Sequence, residues 1–108
     1  MATDHEASIV LTDRSERSRY ELTVDGELAG WVGYSDEDLV RALTHSEVDP
    51  GRRGQGIGGK LVAGVLDDVR RRGMKVVPKC PFVRSYLQRH RDEYDDLLAP
   101  GQSLDGDG

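Results

Sequence analysis

The stretch Val48-Asp49-Pro50-Gly51-Arg52-Arg53-Gly54-Gln55-Gly56-Ile57-Gly58-Gly59-Lys60 is where the pattern of the chain changes. Before it, apolar and polar residues alternate with the period of two of half-buried strands. After it, Leu61, Val62, Val65, Leu66 and Val69 fall at helical spacing and make one apolar stripe. A strand that ends Val-x-Pro, a glycine-rich turn and a helix therefore follow one another. Glycines let several backbone N–H groups converge, and a helix start adds unpaired donors and the positive end of its dipole, so such a turn suits a pyrophosphate. Five glycines in a turn that bound nothing would cost backbone entropy without return.

Working toward the N-terminus, Leu39 to Val48 reads as a long strand, and Ser35-Asp36-Glu37-Asp38 as the turn that leads into it. Glu27 to Tyr34 is the strand before, with Leu28, Val32 and Tyr34 on one face and Trp31 on the other. Asp25-Gly26 makes a tight hairpin with the alternating strand around Tyr20, Leu22 and Val24, and Ala7 to Thr12 is a first short strand. Working toward the C-terminus, the helix should stop at Gly73. Met74 to Val77 is a short strand halted by Pro78, and Phe82 to His90 is a second helix with Phe82, Val83, Tyr86 and Leu87 on one side. Two strands joined through a crossover helix should be parallel. The expected fold is α/β, of the α+β type: antiparallel N-terminal strands leading into one parallel pair. One domain is expected over residues 7–98, with 1–6, polar and acidic, and 99–108, polar, glycine-rich and acidic, as flexible termini.

Two other nucleotide motifs overlap the loop and fail on context. Gly54-x-Gly56-x-x-Gly59 fits a dinucleotide fingerprint, but Lys79 stands where an acidic residue should hold the ribose, and antiparallel strands precede the loop. Gly54 to Lys60 is nearly a P-loop, but Leu61 replaces the Ser or Thr whose hydroxyl would meet magnesium.

Composition narrows the classes further. The chain has 108 residues and a net charge of −5, distributed unevenly: 4 Lys/Arg against 12 Asp/Glu in residues 1–49, 11 against 2 in 50–91, and 0 against 6 in 92–108. The basic middle expects an anionic ligand, either a phosphate-rich small molecule or nucleic acid. Nucleic acid is the weaker choice, because no aromatic residue is interleaved with the charges of residues 50–81 for base stacking. A lone Cys80 excludes an intrachain disulfide, and His5, His45 and His90 have no metal-ligand spacing, so no metal site is expected. The expected setting is cytoplasmic and reduced, with no membrane partner, since no stretch is apolar enough to span a bilayer and the N-terminus lacks signal-peptide character.

Arg53-Gly-Gln-Gly-Ile-Gly58 after a Val-x-Pro strand end, His45-Ser-Glu-Val48 before it, and Val77-Pro-Lys-Cys-Pro-Phe-Val83 followed by Tyr86 together resemble the GNAT superfamily of acyl-CoA-dependent N-acetyltransferases. The match is to its short single-domain members with a cysteine after the last strand, over roughly Ile9 to Leu98. The resemblance implies a minimal GNAT-like fold in which acetyl-CoA, bound as substrate, lies in the splay between the strands Leu39–Val48 and Met74–Val77. It implies cofactor contacts from Val48, Arg53, Gly54, Gln55, Gly56, Ile57, Gly58, Gly59 and Cys80, with the Val48 amide near the thioester carbonyl. Ser46 departs from the usual Thr, and Arg91-Asp92 stand where Pro is expected after the last helix's histidine. The acceptor side should be shallow, since only Asp13 to Ser18 stand where larger relatives insert helices.

Four residues are candidates for chemistry. Strict alternation puts Leu43, His45 and Glu47 on one face, unless a bulge intervenes. His45, through its imidazole, or Glu47 through water, could take the proton an amine must lose before attack. Cys80, between a strand end and a helix start, is either a thiolate nucleophile or a small residue lining the CoA thiol pocket. Tyr86 matches the tyrosine that many members of the superfamily use to protonate the departing thiolate. The expected function is transfer of an acyl group from acetyl-CoA to an amine that the sequence does not identify. The alternative is a CoA-binding or acyl-CoA-binding module without transfer.

Overall fold

The computed structural model describes residues 8–52 and 54–104. Its elements run β1 (Ile9–Arg14), β2 (Arg19–Val24), β3 (Glu27–Glu37), β4 (Val40–Val48), α1 (Ile57–Arg71), β5 (Lys75–Pro78), α2 (Pro81–Arg89) and the short α3 (Arg91–Tyr94), with single 3-10 turns at Ser15–Arg17, Pro50–Arg52 and Asp95–Leu97. The five strands form one sheet in the order β1-β2-β3-β4-β5, antiparallel up to β4 and parallel between β4 and β5. This is the α+β arrangement expected from the sequence.

The apolar stripe of α1 supplies Leu61, Val62, Val65, Leu66 and Val69, all buried against Tyr20, Leu22, Val32, Leu43 and Val76 of the sheet. Val83 and Leu87 of α2 join the same core, so both long helices lie on one face. The far end of that core holds a polar network. Arg41 grips Asp36 with two hydrogen bonds of 2.7 and 2.8 Å and donates a third, of 2.7 Å, to the Tyr20 hydroxyl, which in turn donates to Asp68 at 2.7 Å. Arg71 and Arg72 close on the same Asp68 carboxylate. Buried charges persist because each is paired and hydrogen-bonded.

Several boundaries differ from the sequence reading, each for a visible reason. The β3–β4 turn is only Asp38-Leu39, because Asp36 stands opposite Arg41 and the salt bridge keeps the polar tip in the ladder. A register shift between Leu22 and Thr23 skips Ala29 in β3. Ala29 is therefore buried, and Leu28, expected on the core face, is exposed. Residues 99–104, expected to fray, are tied down at both ends, with 100–103 exposed between them. Leu98 bridges β5 at Val76, Ala99 donates its amide to the Val76 carbonyl at 2.9 Å, and Leu104 is only 4% exposed. The outer edge of a short parallel strand offers unpaired backbone groups, and this tail pairs with them. No helix among the described residues is long and apolar enough to cross a membrane.

Candidate functional site

β4 and β5 pair only over Val40–Leu43 and Lys75–Pro78. Proline then halts β5, and the Leu43 carbonyl accepts both the Lys79 and Cys80 amides at 3.0 Å, which turns the chain into α2. β4 continues alone to Val48. Asp49 donates its amide back to Ala29 of β3 at 2.8 Å, so strand alternation turns the Val48 amide toward the opposite edge, where β5 has diverged. A groove of about 450 Å³ opens beside that edge, lined by Ser46, Glu47, Val48, Arg52, the glycine loop and Phe82.

The loop forms one end of the groove. Gly54 and Gly56 have φ of +85° and +74°, and a Cβ on Gly54 would meet nothing within 4 Å, so these glycines serve a left-handed backbone beneath open space. Gly56 is the residue before α1 and offers no capping side chain, and the first turn contains no acidic residue. The α1 N–H groups are left for an external acceptor. Arg52 stands beside them, held by Glu27 at 2.9 Å, and its buried Nε has no hydrogen-bond partner. An anionic diphosphate fits this donor set. Gln55, Ile57, Gly58 and Gly59 belong to the same turn and helix start, whereas Arg53 lies outside the described residues.

At the other end, Ser46 Oγ and Cys80 Sγ are 3.1 Å apart across the splay, and Cys80 is buried at the start of α2. Ser46 carried no weight in the sequence beyond its departure from Thr, yet it is the β4 side chain that meets Cys80. Tyr86 is buried one and a half turns further on. It stacks on His90 at 4.1 Å between ring centres, with its edge 3.8 Å from where a Cβ on Gly59 would stand. Burial first, then the charges of Glu93 and Asp67, push its hydroxyl above the ordinary tyrosine range, so it stays protonated at neutral pH.

His45 and Glu47 are where a bulge changes the sequence reading. Gly33 pairs with His45 but Tyr34 pairs with Leu43, so Thr44 is an extra residue in β4. Leu43 points into the core, while His45 and Glu47 point together to the opposite, solvent-facing side, with side chains 60% and 63% exposed. Ser46 is thereby turned toward the groove. His45 Nε2 lies 3.1 Å from Glu47 Oε2. The imidazole also leans on Trp31, 5.3 Å between centres, and Arg19 covers that indole at 4.7 Å. The structure thus brings Ser46, Val48 and the glycine loop to the groove, with Glu47 also in its lining, sets Cys80 against Ser46, and turns the His45 and Glu47 side chains to the solvent-facing side. Among the described residues no three His, Cys, Asp or Glu side chains converge as a metal site would require.

Known proteins match this architecture. A solution structure of a GCN5-like N-acetyltransferase from Staphylococcus aureus is 19% identical with a TM-score of 0.64, covering 94% of this chain and 96% of that one. A ribosomal-protein-alanine N-acetyltransferase from Brucella melitensis biovar Abortus is 20% identical with a TM-score of 0.57, covering 92% and 95%. These two show the fold. The ribosomal-protein-S18-alanine N-acetyltransferase of Escherichia coli is 25% identical with a TM-score of 0.51 over 54% of this chain, which spans 38% of that enzyme's length. No curated protein matches the sequence. The family model for GCN5-related N-acetyl-transferases matches residues 19–97, most of the chain and all of the elements that build the splay, and the chain belongs to that family.

Proposed function

We propose that this protein is an N-acyltransferase that takes an acetyl group from acetyl-CoA and passes it to an amine. The observation that carries the reading is the splay itself. A strand edge with outward-facing amides runs from a glycine turn and open helix start at one end to Ser46 and the buried Cys80 thiol at the other. The relatives' acceptors, a ribosomal-protein alanine among them, set the class of reaction but not this chain's acceptor. A lone cysteine and a CoA donor both suit a cytoplasmic setting.

Acetyl-CoA supplies the activated acyl group. The protein's residues divide the remaining work. The loop from Arg53 to Gly59 and the α1 start hold the pyrophosphate, and the Val48 amide donates to the thioester carbonyl. His45, oriented by Glu47, accepts the proton the ammonium must lose, working from the solvent-facing side of the gap. Tyr86 holds a proton at its hydroxyl for the departing thiolate. Ser46 and Cys80 line the thiol pocket, and Cys80 need not form a covalent intermediate, because direct attack by the amine already exchanges one acyl bond for another.

Calorimetry with CoA, followed by free-thiol release from acetyl-CoA over a panel of amines, polyamines and peptides, tests the reading. Gly54→Ala sharpens it. The free loop has room for the methyl but holds it at positive φ for about 1–2 kcal/mol. A folded variant with unchanged CoA affinity would remove the loop from the site. Binding without thiol release across the whole panel would favour a CoA-binding module.

A further inference from the structure

Phe82 is a large apolar side chain left 40% exposed, while Val83 and Leu87 on the same helix are fully buried. Its helix does not need it for the core. The ring leans across to the first turn of α1 instead. A Cβ on Gly58 would stand 2.6 Å from the ring Cζ and 3.2 Å from Cε2, so only glycine at position 58 lets the ring rest there. The ring forms one wall of the groove, and the β4 edge at Ser46–Val48 forms the other. The glycine turn lies at one end of that channel, and the Ser46–Cys80 pair at the other.

Resting on the acyl-CoA reading, we propose that Phe82 grips the pantetheine arm of CoA and that Gly58 is the seat that holds the ring in place. A ligand running from the turn to Cys80 must pass its linking arm between the ring and the β4 edge. The arm's methyl and methylene groups suit the ring, and its two amides suit the strand edge's backbone groups. A nucleotide without the arm has nothing to place against Phe82. The residue therefore makes the groove selective for pantetheine-bearing ligands over nucleotides with the same phosphates.

The test is calorimetry on the full chain with two probes, CoA and 3′-phospho-ADP, which keeps the nucleotide and pyrophosphate but lacks the arm. Phe82→Ala should weaken CoA about threefold to tenfold, since only the exposed part of the ring has burial left to gain, and should leave 3′-phospho-ADP within about twofold. Phe82→Leu should recover part of the loss. Gly58→Ala should weaken CoA more in the native background, where it also unseats the ring, than in the Phe82→Ala background, where only its effect on the pyrophosphate turn is left. Equal weakening of both probes, or unchanged CoA affinity in folded Phe82→Ala and Phe82→Leu, overturns the proposal. A native chain that binds neither probe overturns the acyl-CoA reading itself, so the two failures are distinguishable.

Discussion

Gly30 sits in β3 directly behind the functional end of β4, and a single methyl there should move the site. A Cβ at this position would stand 2.9 Å from the Glu47 carbonyl oxygen, 3.2 Å from Leu61 Cδ2 and 3.5 Å from Val48 Cγ2. The first contact is with backbone held in the β3–β4 ladder, and Leu61 is buried in the core, so neither can swing aside. Room for the methyl has to come from displacement of β4. Overpacking of this kind costs about 1–3 kcal/mol, and in a domain of this size each kcal/mol moves the melting midpoint by about 4–8 °C. Gly30→Ala should therefore melt roughly 5–20 °C lower. It should also bind CoA several-fold more weakly, because the displaced segment carries the Val48 amide. Gly59→Ala is the control for the same chemical change. Its Cβ would meet Tyr86 at an ordinary 3.8 Å, and replacing glycine within a helix should stabilise by about 0.5–1 kcal/mol. Thermal melts by circular dichroism on both variants, with CoA calorimetry on Gly30→Ala against the parent, give the answer. A Gly30→Ala protein that melts within about 1 °C of the parent and binds CoA equally well would refute the reasoning.

His45→Ala should lower turnover by about 100-fold while CoA affinity holds, since a positioned base acts on the transition state; a loss of about twofold or less across neutral pH would pass the role to Glu47 or water. Cys80→Ala should retain turnover if the amine attacks directly, whereas complete loss, with an acyl adduct on native Cys80 discharged by acceptor at the turnover rate, would make the thiol a nucleophile. Acid should unfold the protein through Asp68. Burial alone would raise that carboxyl, but hydrogen bonds from Tyr20 and Arg72 and the charges of Arg72 and Arg71 hold it below the usual range. A depressed folded-state pKa gives stability that is complete above the unfolded value, about 3.9, and is lost as pH falls through the folded value. Melting temperatures should drop below about pH 4, and Asp68→Asn should be less stable at neutral pH with a flatter acid limb; an acid limb as steep as the parent's would count against Asp68.

What could be read from the chain, and what could not, follows from the range of the interactions. The glycine turn, the α1 stripe and the parallel pair are written in local periodicity and turn chemistry, and they stand where expected. The tail at 99–104 looked frayed because its composition is polar, yet the unpaired edge of β5 and the side chains of α2 decide its placement. Arg84 and Gln88 hold the Ser103 and Leu104 carbonyls, a pairing no local pattern encodes. Phe82 read as core on the helical wheel, because the wheel registers that a side is apolar and not whether another element covers it.

The bulge at Thr44 shows the same limit where it matters most for chemistry. Alternation of side chains along one strand is local, but an extra residue is defined only against the partner strand, and β3 sets it by pairing Gly33 with His45 and Tyr34 with Leu43. Were Thr44 an ordinary ladder residue rather than a bulge, His45 and Glu47 would follow Leu43 into the apolar core, and Ser46 would face solvent instead of Cys80. With the bulge, the strand turns an imidazole–carboxylate pair to one face of the sheet and a hydroxyl toward Cys80 on the other. In the reaction proposed above, that single extra position puts the proton acceptor and the thiol pocket on opposite faces of the sheet. Deleting Thr44 should leave those faces unchanged, because Leu43 and His45 then alternate directly opposite Tyr34 and Gly33; a folded deletion variant should keep transfer, and its loss would refute the alternation argument.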